Sequence, residues 1–482
     1  MGKAVEVARP FLGIPLPVPV KKPRLSLFHF VGRSVSVTLR LEEIAWLLAR
    51  YGLLGSLTEM GFEIGKRGIL WTQNKKGSGR TLDSLFGKRL AITFSKLGPT
   101  FIKLGQVLAT REDIVGTDVA AELKVLFDRV EPLPFRRIQY VLKKELGKKR
   151  VEKEFREIHS KALASASLSQ THEATLTDGT PVILKVQKDD VEKLVRVDLW
   201  ILEGIAKSIQ LASPKFQVWQ MFQDFRDGTV RELDYLEEAK NIDQFRKNYR
   251  RFLVDSNVVF PRYFPHLTTR KVITLEPLHG KKLSELRKGS TVAKSAANQS
   301  VTAVLEQIFD HGFFHADPHA GNLFFLEDSG RLGFIDLGLV GTLKLKDKRK
   351  FLQVLLSVLR KDRKALAASL FALGEPSPDT NYSKFEKDID KLIDQLKHKA
   401  KNQWRLDEVM QEVLRVAQEN RIFIPNRYFL MMRSCLMVEG VAKSLDPSIS
   451  MADIAAPIVL KSLMKSYDPL RIVKNGIFRL LP

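Results

Sequence analysis

HADPHAGNLFFLEDSGRLGFIDLG, residues 315–338, is the stretch on which the reading of this chain turns. Two apolar runs, Asn322–Leu326 and Leu332–Asp336, flank the turn dipeptide Ser329-Gly330, the pattern of a β-hairpin. Residue 329 lies midway between Asn322 and Asp336, so antiparallel pairing is expected to bring these two side chains together at the open end. Both offer oxygen atoms, and Mg²⁺ usually takes one or two carboxylates together with substrate phosphates. Asp317 precedes Asn322 by five residues, within reach of the same spot, where its carboxylate can orient a hydroxyl or a water for in-line attack on a phosphoryl group. Taken singly, Asp, Asn, Gly and Pro are ordinary loop residues. The two spacings and the hairpin geometry together carry the reading.

The D-x-x-x-x-N spacing followed by Asp336-Leu337-Gly338 matches the catalytic-loop and metal-loop arrangement of kinases. Such a site needs a lysine on a strand to hold phosphates. Val182-Ile183-Leu184-Lys185 supplies one: Val182, Leu184 and Val186 share one face, so Lys185 points from the other. That strand follows Asp178-Gly179, a hairpin turn signal. A strand lysine alone is usually a solvated charge, and its position before Asp317 raises its weight. Its acidic partner is expected from a later helix, with Glu232 and Asp234 as candidates against the alternative of an ordinary acidic helix face. No G-x-G-x-x-G precedes the lysine strand. Alanine and serine fill Ala164–Ser167 instead, a stiffer loop, since neither adopts positive φ as freely as glycine.

The order of patterns along the chain is helices, then strands with helices, then mostly helices, which predicts an α+β architecture. Helical spacing is expected over 40–64, from about 82 to 146, over Val191–Leu211 and Val218–Asn248, and from Lys346 to Leu445. Prolines 10, 15, 17, 19 and 23 make the N-terminal arm irregular. The formal net charge of +23 predicts attraction to something anionic: nucleic acid, a membrane face or a nucleotide. No finger, RNA-recognition or helix-turn-helix signature supports nucleic acid. The lone Cys435 cannot form an internal disulfide and reads as a small buried residue of a reducing compartment. No apolar run reaches the roughly 20 residues of a spanning helix, and no signal peptide is evident. The expected location is cytoplasmic, with peripheral contact to the inner face of a membrane.

Together these features resemble the UbiB (aarF-type) family of atypical kinase-like proteins, closely over roughly 85–345 and more weakly to about 450. The most specific motif is K-x-G-Q, here Lys103-Leu104-Gly105-Gln106. The resemblance implies an alanine-rich loop in place of the glycine-rich one, matched by Ala164, Ala166 and Ser167, with Gln170 completing S-x-x-Q. It assigns Lys185 to the nucleotide, Glu232-Leu233-Asp234 to E-x-D, His315–Asn322 to H-x-D-P-x-x-G-N and Asp336 to the metal. Ala320 stands where a proline is usual and Leu337 where a phenylalanine is usual; both leave the chemistry-bearing atoms in place.

The fold implied is a protein-kinase-like two-lobed one with an N-terminal helical extension, carrying Lys103 and Gln106, packed over the active site. The expected divisions are 1–80 (basic arm and helix), 81–150 (K-x-G-Q extension), 151–275 (small lobe), 276–450 (large lobe) and 451–482 (basic tail). Expected cofactors are ATP and Mg²⁺, with Asp317, Lys185 and Glu232 catalytic and Asn322 and Asp336 on the metal. The implied role is ATP hydrolysis or small-molecule phosphotransfer supporting isoprenoid quinone (ubiquinone) biosynthesis or lipid homeostasis. The implied partners are an anionic membrane surface and quinone-biosynthesis proteins or lipids, with Leu470–Leu481 as one basic segment suited to a leaflet. Three alternatives stand beside this: a protein kinase acting in trans, a non-catalytic nucleotide-binding scaffold, and a metal hydrolase using His311, His315 and His319, whose spacing suits one helix face except that Pro318 and Gly321 interrupt it.

Overall fold

The computed structural model describes residues 33–53, 79–109, 111, 115–127, 131–212, 218–249, 257–360, 362–398 and 406–466. The proline-rich arm, most of the 65–80 linker and the basic segment 470–481 lie outside these. In chain order the helices that open it are α1 (Arg33–Arg50), α2 (Gly79–Leu97), α3 (Pro99–Ala109), α4 (Thr117–Leu123), α5 (Phe135–Leu146) and α6 (Lys148–Glu154). Strands β1 (Phe155–Ile158), β2 (Ala164–Ser165), β3 (Ser169–Leu176) and β4 (Pro181–Gln187) follow, then α7 (Val191–Ala212), α8 (Val218–Glu232) and α9 (Tyr235–Tyr249). Next come β5 (Val258–Val259), β6 (Val272–Leu275), β7 (Lys281–Lys282), α10 (Thr291–Glu306), β8 (Phe313–His315), β9 (Leu323–Leu326), β10 (Arg331–Phe334) and β11 (Val340–Thr342). The rest is helical: α11 (Leu345–Leu359), α12 (Arg363–Leu373), α13 (Tyr382–His398), α14 (Leu406–Glu419), α15 (Asn426–Leu445) and α16 (Met451–Ser466), with a two-stranded ribbon of Glu375–Pro376 and Ile422–Phe423.

The chain divides into two compact units, one of residues 1–131, 166–168 and 190–226, the other of 132–165, 169–189 and 227–482. In the first, α1, α2, α3, α4 and α7 surround a core of Ile44, Leu47, Phe94, Leu97, Phe101, Leu123 and Ile201. A buried ion pair crosses it: Arg40 Nε donates to Asp198 Oδ1 at 2.7 Å, and Arg40 Nη2 also reaches the Leu97 carbonyl at the end of α2. The K-x-G-Q residues lie on α3. A Cβ on Gly105 would overlap Leu126 Cδ1 and Phe94 Cδ2, so the glycine is what lets α3 close on its neighbours. Gln106 Nε2 donates to the Leu126 carbonyl at 2.8 Å. Both positions therefore have a packing role within this unit.

In the second unit a sheet in the order β1-β3-β4-β6, with β2 paired to β3, covers one small core. The alternation predicted for β4 holds: Val182, Leu184 and Val186 point with Ile138, Leu142 and Leu146 of α5 into that core, and Lys185 points from the other face. Gly179 takes φ +88° in the turn, and Asp178 Oδ1 accepts from the Thr180 amide at 2.8 Å. A larger core gathers α9, α10, β8–β10 and the C-terminal helices around Phe245, Phe260, Phe314, Phe334 and Tyr428. The helix expected over 218–248 is two helices, because Asp234 restarts it: its Oδ1 accepts from the Leu236 amide at the head of α9.

Gly105→Ala is expected to lower the unfolding free energy by about 1–3 kcal/mol, the usual cost of overpacking a filled core. A urea-unfolding comparison with the native chain checks this, and an unchanged midpoint would contradict the packing role.

Candidate active site

The site is built from five elements of the second unit. Lys185, on the face of β4 opposite the small core, donates to Glu238 Oε2 at 2.9 Å and Oε1 at 3.1 Å, and to Asp336 Oδ1 at 3.2 Å. The Tyr235 ring lies 5.5 Å from its ammonium. Burial alone would lower the Lys185 pKa, but the Asp336 and Glu238 carboxylates outweigh it and hold the group cationic, well above its ordinary range. Burial raises the pKa of Glu238 against the pull of Lys185. Asp336 is the opposite case: burial works to raise it, but Lys185 and the Gly338 amide bring it well below the usual carboxylate range.

The partner expected for Lys185 was Glu232 or Asp234. The structure gives Glu238 instead. Asp234 caps α9 and accepts from Arg270 Nε at 3.0 Å, and Glu232 ends the preceding helix. Glu238 lies on the inward face of α9 with Tyr235, Ala239 and Ile242, an acid within an apolar stripe. That placement is the sequence signal that marks it.

The hairpin between Asn322 and Asp336 has a different register from the one expected. The ladder pairs Leu326 with Arg331 and Leu323 with Phe334, so Asn322 faces Ile335, whose amide donates to the Asn322 carbonyl at 3.1 Å. The loop holds four residues, 327–330, with Gly330 left-handed at φ +64°, and its centre falls half a residue before 329. Asp336 follows the strand and turns toward Lys185. Its Oδ1 takes the Lys185 and Gly338 donors, and Oδ2 has no donor among the described residues. Asn322 Nδ2 donates to the Asp317 carbonyl at 3.3 Å, and its Oδ1 accepts from no described residue. These two oxygens suit a hard cation. No cluster of three or more His, Cys, Asp or Glu suited to a metal occurs among the described residues.

The Asp317 carboxylate is held by a residue sequence reasoning missed. Arg433 Nη2 of α15 donates to Asp317 Oδ1 at 2.7 Å. The neighbouring Ser434 Oγ donates to the His315 carbonyl at 2.7 Å. No local pattern links Arg433 to Asp317; only tertiary packing does. His315 is buried, its Nδ1 accepting from the Asp317 amide at 3.0 Å, and burial lowers its pKa, so the neutral ring shapes the loop.

Gln170 does not face this site. It pairs with Val186 and shares that residue's face, opposite to Lys185. Its amide is used on the backbone of Leu133, Oε1 accepting from the amide at 2.8 Å, and on His172 Nε2 at 2.9 Å. Ala164 and Ser165 form β2, and Ala166 and Ser167 follow in the connection to β3. Lys103 and Gln106 belong to the first unit. His311, His315 and His319 do not share a helix face: His311 ends a π-turn, His315 lies on β8, and His319 Nδ1 accepts from the Gly321 amide in a loop.

The profile of the ABC1 atypical kinase-like domain matches residues 125–370, and that of the UbiB helical domain matches 389–450. The chain belongs to the ABC1/UbiB family of atypical kinase-like proteins. Its relatives include an uncharacterized protein of Synechocystis, 32% identical over 377 residues that make up 77% of this chain and 64% of that protein. Protein ACTIVITY OF BC1 COMPLEX KINASE 1, chloroplastic, of Arabidopsis thaliana is 29% identical over 90% of this chain and 66% of its own length. Probable protein kinase UbiB of Xylella fastidiosa is 28% identical over 81% and 72%. The chain thus spans somewhat under two thirds of the first of these. In family terms, the Arg433–Asp317 contact joins the UbiB helical domain to the kinase-like domain. Among the described residues, no helix of this family member is long and apolar enough to cross a membrane.

His172 and His315 are both buried with lowered pKa values. The unfolded chain, with histidines near pH 6.5, binds more protons below that pH than the folded one. Stability from these groups is therefore complete above about pH 6.5 and falls as the pH drops through it. The urea midpoint should decline from pH 7 to 5, less steeply in His172→Gln. Equal slopes in the two proteins would contradict the assignment.

Proposed function

We propose that this chain binds Mg-ATP and hydrolyses it or transfers its γ-phosphoryl group to a small molecule. The observation that carries the reading is the ammonium of Lys185 held between Glu238 and Asp336, beside a loop that presents Asn322 and Asp317. Lys185 would bind the α and β phosphates. Asn322 Oδ1 and Asp336 Oδ2 would hold Mg²⁺, which would offset the charge of the phosphates when bound. Asp317 would orient the attacking hydroxyl or water. Arg433 is a positioning residue: its Nη2 donates to the Asp317 carboxylate and orients it.

Relatives named for UbiB support a role in isoprenoid quinone (ubiquinone) biosynthesis or lipid homeostasis. The same names carry the words "probable protein kinase", which favours phosphorylation of a polypeptide as the second reading. Stoichiometric transfer to a Ser or Thr of a partner, abolished in Asp317→Asn, would decide for it. ATP binding with no turnover or transfer would make the chain a nucleotide-holding scaffold.

Asp336→Asn should abolish Mg-dependent ATP turnover while the fold survives, and Asp317→Asn should reduce it by about 10²–10⁴-fold. Full turnover in Asp336→Asn would refute the assignment. Arg433→Gln should lower kcat with little change in KM for ATP, and Arg433→Lys should retain more of it. Loss of ATP affinity alone in Arg433→Gln would contradict a role through Asp317.

A further inference from the structure

Helix α10 turns one stripe to the large core: Ala293, Ala296, Ala297, Ser300, Val301 and Val304 are buried along it. Gln307, one turn further on, continues that stripe and is fully buried. A primary amide is costly in an apolar stripe unless it is hydrogen-bonded. Gln307 meets this through its Oε1, which accepts from the His315 amide at 3.0 Å, eight residues along the chain. Tyr249 stands beside Gln307, its hydroxyl donating to the Ala303 carbonyl at 3.2 Å.

The His315 amide needs a side chain because no strand serves it. Among the described residues, β8 pairs with β11 alone. The Ala316 amide donates to the Leu339 carbonyl at 3.0 Å, so the His315 amide, one residue earlier, points to the opposite edge. Gln307 supplies the acceptor there in place of a strand. The backbone that brings it round is unusual. Residues Gln307–His311 form the π-turn, with the Gly312 amide donating to the Gln307 carbonyl, and Gly312 closes it in the left-handed region at φ +66°. A Cβ on Gly312 would lie 2.6 Å from the Leu343 carbonyl oxygen. Two later helices brace the turn. Lys348 Nζ of α11 donates to the Phe309 and Asp310 carbonyls at 3.2 and 3.3 Å, and Ser462 Oγ of α16 donates to the Phe309 carbonyl at 3.0 Å. Single π-turns of this kind are frequent at functional sites.

We propose that Gln307 is a positioning residue for Asp317. His315 is held at three points: its amide by Gln307, its carbonyl by Ser434 Oγ at 2.7 Å, and its ring Nδ1 by the Asp317 amide at 3.0 Å. The third contact is the backbone of Asp317 itself. A tilt of the His315 peptide therefore moves the carboxylate that Arg433 contacts. The inference rests on the nucleotide reading, in which Asp317 orients the attacking oxygen. The His315 amide uses the carbonyl half of the Gln307 side chain. A carboxyl group in the same place offers the same oxygen, whereas a thioether of equal length offers only a weak acceptor.

The test compares Gln307→Met with Gln307→Glu in the full chain. Amide hydrogen exchange across Phe313–Asp317 is measured without nucleotide, and steady-state Mg-ATP turnover is measured separately. Gln307→Met should speed exchange in this segment by at least about tenfold, with no change across β3 and β4. It should lower kcat by about 10–10²-fold with KM for ATP within about twofold of the native value. Gln307→Glu should stay within about threefold of the native chain in both measurements, since it keeps the acceptor. If Gln307→Met does not fold, Gln307→Asn, one methylene short of the His315 amide, replaces it with the same expectation. Unchanged exchange across Phe313–Asp317 overturns the inference whether or not the chain turns over ATP. Equal loss of kcat in the Met and Glu variants overturns it too, as does a raised KM with kcat unchanged. Faster exchange in the Met variant, in a chain without ATP turnover, would uphold the positioning of the loop and refute the nucleotide reading.

Discussion

The ammonium of Lys185 is the charge around which the second unit is arranged. It sits between a buried carboxylate from α9 and a half-exposed one from the loop after β10. An ammonium in that position is costly unless both carboxylates stay close, and removing either leaves a charge poorly matched. The lysine and its two carboxylates therefore tie three separate parts of the chain together: a sheet strand, a helix and the loop after β10. Asn241, one turn after Glu238, donates to the Leu337 carbonyl at 2.9 Å, so α9 holds the loop by its backbone as well as through the lysine. A shift of α9 would move both contacts together.

A second set of contacts fixes the loop that presents Asp317. Arg433 and Ser434, adjacent on α15, hold the Asp317 carboxylate and the His315 carbonyl. The family's helical domain thus reaches directly into the loop that presents Asp317. The helical segment is part of what shapes the candidate site, in addition to being a covering layer for the large core. In the first unit, Gly105 and Gln106 show a family motif serving packing: one removes a side chain where two residues close in, the other satisfies a backbone carbonyl.

What was legible in the sequence follows the range of each signal. The β3–β4 turn and the inward alternation of Val182, Leu184 and Val186 are local, and they placed Lys185 on the correct face. The second hairpin was legible as a hairpin, but its register was not, because a four-residue loop with a left-handed Gly330 and a tighter turn share the same residues. Sequence reasoning offers Glu232 and Asp234 as the acid beside Lys185; the structure uses Glu238, set by which face of α9 is buried. Gln170 reads as a polar residue of a nucleotide loop, yet strand alternation turns it to the core, where Leu133 and His172 satisfy its amide. Arg433 is separated from Asp317 by more than a hundred residues, and no periodicity encodes that contact.

The central claim, that Asn322 and Asp336 share one cation with a nucleotide beside Lys185, is tested most directly by paramagnetic broadening. Mn²⁺ with ADP is added to the ¹⁵N-labelled full chain, and the side-chain amide of Asn322 is observed, assigned by its absence in Asn322→Asp. The account predicts that this resonance broadens beyond detection with Mn²⁺ and ADP together, and that Asp336→Asn restores it. A sharp Asn322 amide in the presence of bound Mn²⁺–ADP would contradict it.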